Sequence, residues 1–215
     1  MRDDDGSNCA GPAATRRPSR IRERNREAIL DAALEVFSKK GFRGATLDEI
    51  AGEAGLSKPN LLYYFRSKSA MHSALLERIL STWLDPLRAL DETGDPRGEI
   101  LGYVRGKMEM SRRYPRESRL FANEVLQGAP HVAARLSGEL RAVVDEKAAV
   151  IAGWVGEERL PPLDGHHLII SIWALTQHYA DFEVQIGAVL GREDPYPRAE
   201  AFLEMLFTRL MAPGP

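Results

Sequence analysis

Two residues in the last third of the chain combine types that recognise flat molecules. Trp173 and Gln177 stand four positions apart, so on a helix they share a face. The indole offers a flat π-surface, and the amide offers one acceptor beside two donors. Together they suit a planar heterocycle with alternating C=O and N–H groups, stacked on the ring and paired along its edge. The same spacing also suits a core tryptophan beside a glutamine bonded to backbone, and the spacing by itself leaves both open. A second group lies nearer the N-terminus, where Lys58, Asn60, Tyr63 and Tyr64 crowd together. Lysine and asparagine early in a helix reach base edges in a major groove, and tyrosine hydroxyls bond phosphates.

Other chemistries find less support. His72, His131, His166, His167 and His178 are scattered, and no pair has the spacing of a helical zinc-protease motif. His178 and Asp181 are three apart and can meet on a helix, as a structural hydrogen bond before a metal site. No nucleophile elbow, phosphate loop or dinucleotide fingerprint occurs. Neither a catalytic centre, a metal nor a cofactor is therefore expected. An all-helical enzyme acting on a small heterocycle remains the alternative from a different class.

The residues around Lys58 need a scaffold, and the sequence supplies one. Thr46 followed by Glu49 is a capping box, which satisfies N–H groups at a helix start. Leu47, Ile50, Ala51 and Ala54 recur at helical spacing. Gly55 can take the left-handed conformation that ends a helix, and Leu56 can plug the corner. Ser57 can cap a second helix, roughly Lys58 to Phe65, with Pro59 tolerated in its first turn. Leu61, Leu62 and Phe65 are expected inside, with Lys58, Asn60, Tyr63 and Tyr64 outside. This is a helix-turn-helix pattern. A helix from Arg22 to Lys40 supplies its third member, with Ile29, Ala33, Val36 and Phe37 on one face. Ahead of it, Arg16 to Arg26 holds six Arg and one Glu, a net of +5. Beside a DNA reader such a run reads as an arm that neutralises phosphates or enters the minor groove.

The chain has 215 residues, too many for this head alone. We expect a basic arm over 1–20, a DNA-binding head over 21–68 and a larger body over 69–215. Composition is that of a soluble protein, 44% hydrophobic and 28% charged. Cys9 is the one cysteine, which rules out an internal disulfide and fits a reducing cytoplasm. The opening Met1-Arg2-Asp3-Asp4-Asp5 is no signal peptide, and no apolar run is long enough to span a membrane. Net charge is −2, but it is unevenly spread. Residues 1–68 hold 13 basic and 10 acidic side chains; residues 69–215 hold 16 and 21. A basic head on an acidic body fits a protein that touches DNA with one end.

The body reads as all-α, its helices set off by Pro and Gly. One helix runs from Ser67 to about Leu90, kinked at Pro86, and links head to body. Others run from Pro96 to Tyr114 and on to Gln127, a short one opens at Ala129-Pro130, and a long one spans Ser137 to Glu158. The next is expected from Gly165 to about Leu190, and the last from Pro197 to Met211. Leu168, Ile169, Ile170, Ile172, Trp173, Ala174 and Leu175 make the helix from Gly165 apolar nearly all round, so it must be buried on more than one side. With Phe202, Leu203, Leu206, Phe207, Leu210 and Met211 it suits a two-fold dimer, whose two heads meet a palindromic site. One large monomeric core is the other reading.

The pattern Phe37…Gly41-Phe42…Thr46…Ile50-Ala51…Ala54-Gly55-Leu56-Ser57…Leu61…Tyr63-Tyr64-Phe65…Ser67-Lys68 resembles the DNA-binding domain of the tetracycline-repressor family. That resemblance implies Lys58, Asn60 and Tyr63 facing bases and Thr46, Tyr64 and Lys68 holding phosphate, with Ser57 at the head of the reading helix. Family members carry Tyr directly after the leucine of that helix; here the position is Leu62, so Tyr64 takes the phosphate role. Trp83-Leu84-Asp85-Pro86-Leu87, Ser118-Arg119-Leu120-Phe121, Gly128-Ala129-Pro130 and Trp173 to Phe182 look like one subgroup of the family, which answers to uracil and thymine. The resemblance implies a ligand-responsive repressor with a double-stranded DNA operator and a pyrimidine effector held by Trp83, Trp173 and Gln177. A regulator of the same fold with a different effector, or none, is the alternative.

Overall fold

A computed structural model describes residues 20–191 and 193–212. The order of elements follows the order of caps and breaks. The first helix, α1 (Arg20–Gly44), changes direction at Gly41, whose φ of 68° only glycine adopts without strain. A short α2 (Leu47–Glu53) starts at Thr46. The Thr46 hydroxyl accepts from Glu49 N–H while the Glu49 carboxylate accepts from Thr46 N–H. Gly55, at φ 65°, turns the chain, and Leu56 N–H reaches back to Ala51 C=O at 2.8 Å. Ser57 then caps α3 (Lys58–Tyr64), with Pro59 in its first turn.

From Ser67, its N-cap, α4 (Lys68–Arg88) runs unbroken through Pro86. Asp95 caps α5 (Pro96–Arg113), and α6 (Pro115–Leu126) follows after Tyr114. A single turn, α7 (Ala133–Arg135), and a widened π turn over Leu136–Leu140 lead into α8 (Arg141–Gly156). The chain continues as α9 (Gly165–Asp181), α10 (Glu183–Leu190) and α11 (Tyr196–Leu210). No strand occurs among the described residues, and none of their helices is long and apolar enough to cross a membrane.

Two expectations need correction. The helix expected from Gly165 to Leu190 is two helices, because Phe182 leaves helical geometry at φ −116°, ψ 35°. Leu62, expected inside, is 36% exposed, while Leu61 of α3 and Phe65, just past its end, are buried. The arm expected over 1–20 lies outside the described residues except for Arg20, which opens α1 two residues ahead of the helix start expected at Arg22.

Packing joins head and body. One core cluster holds Ile29, Phe37, Ile50, Leu61 and Phe65 of the head and continues into Met71, Leu75, Ile79 and Trp83 of α4, with Met110 and Leu120 beyond. Helix α1 packs on α6 as well as on α4. A second cluster fills the body between α5, α8, α9 and α11 around Ile100, Met108, Ile151, Ile169 and Phe207.

Candidate functional site

The head presents a polar face built on local caps. The Ser57 hydroxyl accepts from Asn60 N–H at 3.4 Å, which sets the first turn of α3. Beyond it, Lys58, Asn60 and Tyr63 are exposed, Tyr63 at 70%. The Lys58 ammonium donates to Asp48 of α2 at 2.8 Å, an exposed pair of small net worth that a phosphate can displace. Thr46 is exposed at the start of α2, its hydroxyl committed to the cap. Arg22 lies 5.7 Å from the Tyr63 ring and Arg26 4.2 Å from Phe65, so the arginine-rich start of α1 borders the end of α3. The sequence did not indicate this neighbourhood.

Two residues assigned to phosphate are placed otherwise. Tyr64 is half-buried, and its hydroxyl accepts from the Asn25 side chain at 2.9 Å. Lys68 donates to Ala45 C=O at 2.7 Å, with its ammonium 4.7 Å from the Phe42 ring. Tyr64 thus ties α3 to α1, and Lys68 ties α4 to the junction of α1 and α2. The physical reason is register: Tyr64 falls one position past the exposed face of α3, and Lys68 opens α4 beneath the α1–α2 corner.

Of the three residues expected to hold a ligand, Trp83 and Trp173 each contact a side chain of α5. Trp83 is buried on α4, 8% exposed, with Phe121 at 6.0 Å between ring centroids. Trp173 is half-buried on α9 and donates its indole N–H to the Tyr103 hydroxyl at 2.5 Å. Gln177 is half-buried one turn further, and no side-chain hydrogen bond fixes its amide among the described residues. Helix α5 lies between, carrying Tyr103 and Lys107 on one face. The Lys107 ammonium sits 4.5 Å above the Trp83 ring. Lys107 is 3% exposed and has no hydrogen-bond acceptor among the described residues. Burial drives its pKa down to about 8, against the opposing pull of the Asp181 carboxylate. Burial likewise pushes the Tyr103 phenol up, its bond from Trp173 acting in the other direction.

Asp181 completes the row Trp173, Gln177, Asp181 along α9. It accepts a hydrogen bond from the Ser118 hydroxyl of α6, and burial raises its pKa. The expected His178–Asp181 bond does not form: His178 stacks on Phe182 at 4.7 Å instead. The ledge between α5 and α9 thus offers an aromatic plane, a free amide, a buried cation and a carboxylate. Lys107 was missed because a lone lysine reads as surface. The signal was present: Ile100, Tyr103, Val104, Lys107, Met108 and Ser111 form one helical stripe, and every member is buried.

The histidines are less scattered in space than in sequence. His72 and His131 lie with ring centroids 4.9 Å apart, beside Glu124. Burial, with the neighbouring charges of His131 and Lys68, lowers the His72 pKa to about 4, against the pull of Glu124, so its imidazole is neutral at pH 7.

For the dimer, α9 exposes Ile170 and Leu175, α11 exposes Phe202, Met205 and Leu210, and α10 adds Val184, Val189 and Leu190. The inner face of α9 is closed by Leu168, Ile169, Ile172 and Thr176. Its apolar girdle therefore divides between the body core and the surface.

Comparison with known proteins gives these sites a family. Residues 29–75 match the family described as bacterial regulatory proteins, tetR family. Residues 76–213 match the one described as YcdC-like protein, C-terminal region. The HTH-type transcriptional regulator RutR of Escherichia coli is 52% identical over 177 residues, covering 82% of this chain and 84% of that one. The HTH-type transcriptional activator FasR of Mycolicibacterium smegmatis is 33% identical over 132 residues, 60% of each chain. In fold, the chain is similar to AibR, solved with isovaleryl coenzyme A and operator DNA, at a TM-score of 0.68 and 15% identity, over 88% of this chain and 100% of that one. With an N-terminal helix-turn-helix, a larger helical body and a relative at this identity over most of its length, the chain belongs to the tetracycline-repressor (TetR) family of transcriptional regulators.

Proposed function

We propose that the chain works in the cytoplasm as a homodimeric repressor whose heads release a palindromic operator when the body binds a pyrimidine. The observation that carries the ligand is the ledge between α5 and α9. A pyrimidine ring stacks on Trp173, its alternating C=O and N–H edge pairs with the Gln177 amide, and a ring carbonyl accepts from Lys107. A buried lysine without an acceptor is costly, and a carbonyl oxygen removes that cost. Trp83 lies under Lys107 on α4, the helix that enters the body from the head, so a ligand drawing on Lys107 alters the packing of α4. The likeness to RutR and the body motifs of its subgroup favour uracil and thymine as the first ligands to try.

The exposed apolar faces of α9, α10 and α11 support pairing with a second copy, because isolated apolar faces of this kind mark association surfaces. DNA spaces recognition helices by one turn, about 34–36 Å, or a multiple of it. A ligand that favours another spacing must weaken operator binding by the factor by which the operator weakens ligand binding.

A selection of bound DNA from a random pool, with and without uracil or thymine, tests this reading. Operator affinity should fall with either pyrimidine in the wild type. In Gln177→Ala, operator affinity without ligand should persist and the response should vanish. Equal responses in both proteins would remove Gln177; no response in the wild type would remove the pyrimidine. Sedimentation at micromolar concentration showing only a 23.9 kDa species would remove the dimer.

A further inference from the structure

We propose that His72, Glu124 and His131 form a binding site for a divalent first-row transition ion of the zinc class, at the seam between head and body. Their ligand atoms all lie within 4.8 Å of one another, although they come from the second turn of α4, the end of α6 and the loop after it. His131 Nδ1 is 3.2 Å from each Glu124 oxygen, and His72 Nδ1 is 3.9 Å from Glu124 Oε2. Two ligands on one tetrahedral zinc stand about 3.4 Å apart, given bonds of roughly 2.0–2.2 Å. The observed separations bracket that value, so small side-chain adjustments suffice. Two imidazoles and one carboxylate are also a donor set that this ion class selects, leaving a position open.

The second observation is independent of the clustering. His72 Nδ1 is itself fully shielded from solvent and has no hydrogen-bond partner among the described residues. His72 is 2% exposed and its Nδ1 is turned towards Glu124. Burying such an atom without a partner costs roughly 1–3 kcal/mol, and a metal bond removes that cost. Glu124 is 6% exposed, and no Lys or Arg pairs with it among the described residues. Among the described residues its carboxylate is addressed only by His131, which also donates its backbone N–H at 2.6 Å, and by His72 at 3.9 Å. Lys68, whose charge acts on His72, is committed to Ala45 C=O and the Phe42 ring.

Access and shell fit the same reading. The three residues line a cleft of about 740 Å³ that also holds Asn123, Arg116 and Arg119. A water or small anion can enter there and complete the coordination. On the other side Phe37 and Phe42 close over His72, each at 4.9 Å between ring centroids, and Phe42 lies 4.6 Å from His131. Phe42 follows Gly41, where α1 turns towards α2. An ion would therefore tie the start of α4 and the α1–α2 corner to α6, and so set the angle of the head on the body. The cluster carries ion binding by itself; only the consequence for DNA rests on the regulator reading.

The test uses the full chain carrying Cys9→Ser, so that its thiol cannot contribute a ligand. After chelation and removal of the chelator, Co²⁺ and Zn²⁺ salts are titrated in turn. The expected result is one equivalent bound per chain, with the visible absorption of protein-bound Co²⁺ displaced by Zn²⁺. Affinity should fall at least about tenfold in His131→Asn and in Glu124→Gln, the scale on which even outer partners of metal ligands act. His131→Asn keeps the site testable if substitution at buried Glu124 impairs folding, and thermal melts identify that case. No stoichiometric uptake by the Cys9→Ser parent, or equal affinity in His131→Asn, overturns the site and leaves a plain His131–Glu124 ion pair. In operator titrations, an ion effect in the parent that His131→Asn lacks supports the coupling. Ion binding with unchanged DNA affinity overturns the coupling and retains the site.

Discussion

The head and the body place their functional side chains by opposite means. In the head, the caps and corner that set the reading face are held by neighbours in sequence: Thr46 by Glu49, Asn60 by Ser57, the α2–α3 corner by Gly55 and Leu56. In the body, each is held by a residue far along the chain: Trp173 by Tyr103, Lys107 over Trp83, Asp181 by Ser118, Glu124 between His72 and His131. Local caps fix a small rigid reader whose face is exposed by default. Distant partners fix polar groups inside a core, where each is costly unless paired. The body is therefore the region in which a ligand or an ion can change packing, because some of its groups still lack partners.

That contrast predicts unequal effects of substitution. The largest belongs to the body. Lys107→Met should stabilise the protein at pH 7, since the fall of the lysine pKa from 10.5 to about 8 corresponds to roughly 3 kcal/mol. Between those values the unfolded chain holds the proton that the folded one has lost, so wild-type stability gains as pH rises through the window. The advantage of Lys107→Met should therefore be full below pH 8 and nearly gone by pH 10.5. Urea unfolding of both proteins at pH 7 and pH 10 measures it, and equal differences at the two pH values would show that Lys107 is not strained by burial. The same variant should lose the pyrimidine response.

Next comes the head's cap. Thr46→Ala should cost about 1 kcal/mol through the lost N–H partner at the start of α2. Thermal melts should show it, and a salt dependence of DNA binding that also shallows would mean that Thr46 holds phosphate as well. Tyr64→Phe should have a similar or smaller effect, about 1 kcal/mol from the lost Asn25 bond, with DNA affinity kept when corrected for folding. Tyr63→Phe and Asn60→Ala should do the reverse, with stability within about 0.5 kcal/mol of wild type and weaker or less selective DNA binding. If Tyr64→Phe proves the weaker DNA binder, the phosphate role read from the sequence returns. The smallest effect belongs to the exposed Lys58–Asp48 pair. Asp48→Asn should change stability by less than about 0.5 kcal/mol and tighten DNA binding at low salt, where the freed lysine counts most.

Much of the head was legible in residue order. A capping box, a left-handed glycine and a serine cap are signals confined to a few positions, and the backbone obeys them locally. The all-helical body was legible for the same reason, from its prolines and glycines, and the structure adds Asp95 and Asp164 as the caps of α5 and α9. Periodicity could not say which of Tyr63 and Tyr64 faces outward, because one position on a two-turn helix is within its error. Nor could it separate α9 from α10: Val184, Ile186 and Val189 continue an apolar run, while the break at Phe182 carries neither proline nor glycine.

Residue order by itself determined most helix starts and stops, the break at Phe182 excepted, and the main apolar stripe of each helix, since these depend on groups within a turn or two. It did not determine which polar residues share a space. Lys107 against Trp83, Tyr103 against Trp173 and His72 against Glu124 and His131 are contacts across elements. Only the packing of α4, α5, α6 and α9 decides them, because burial removes water as the default partner and leaves each polar group to whatever the neighbouring helix presents.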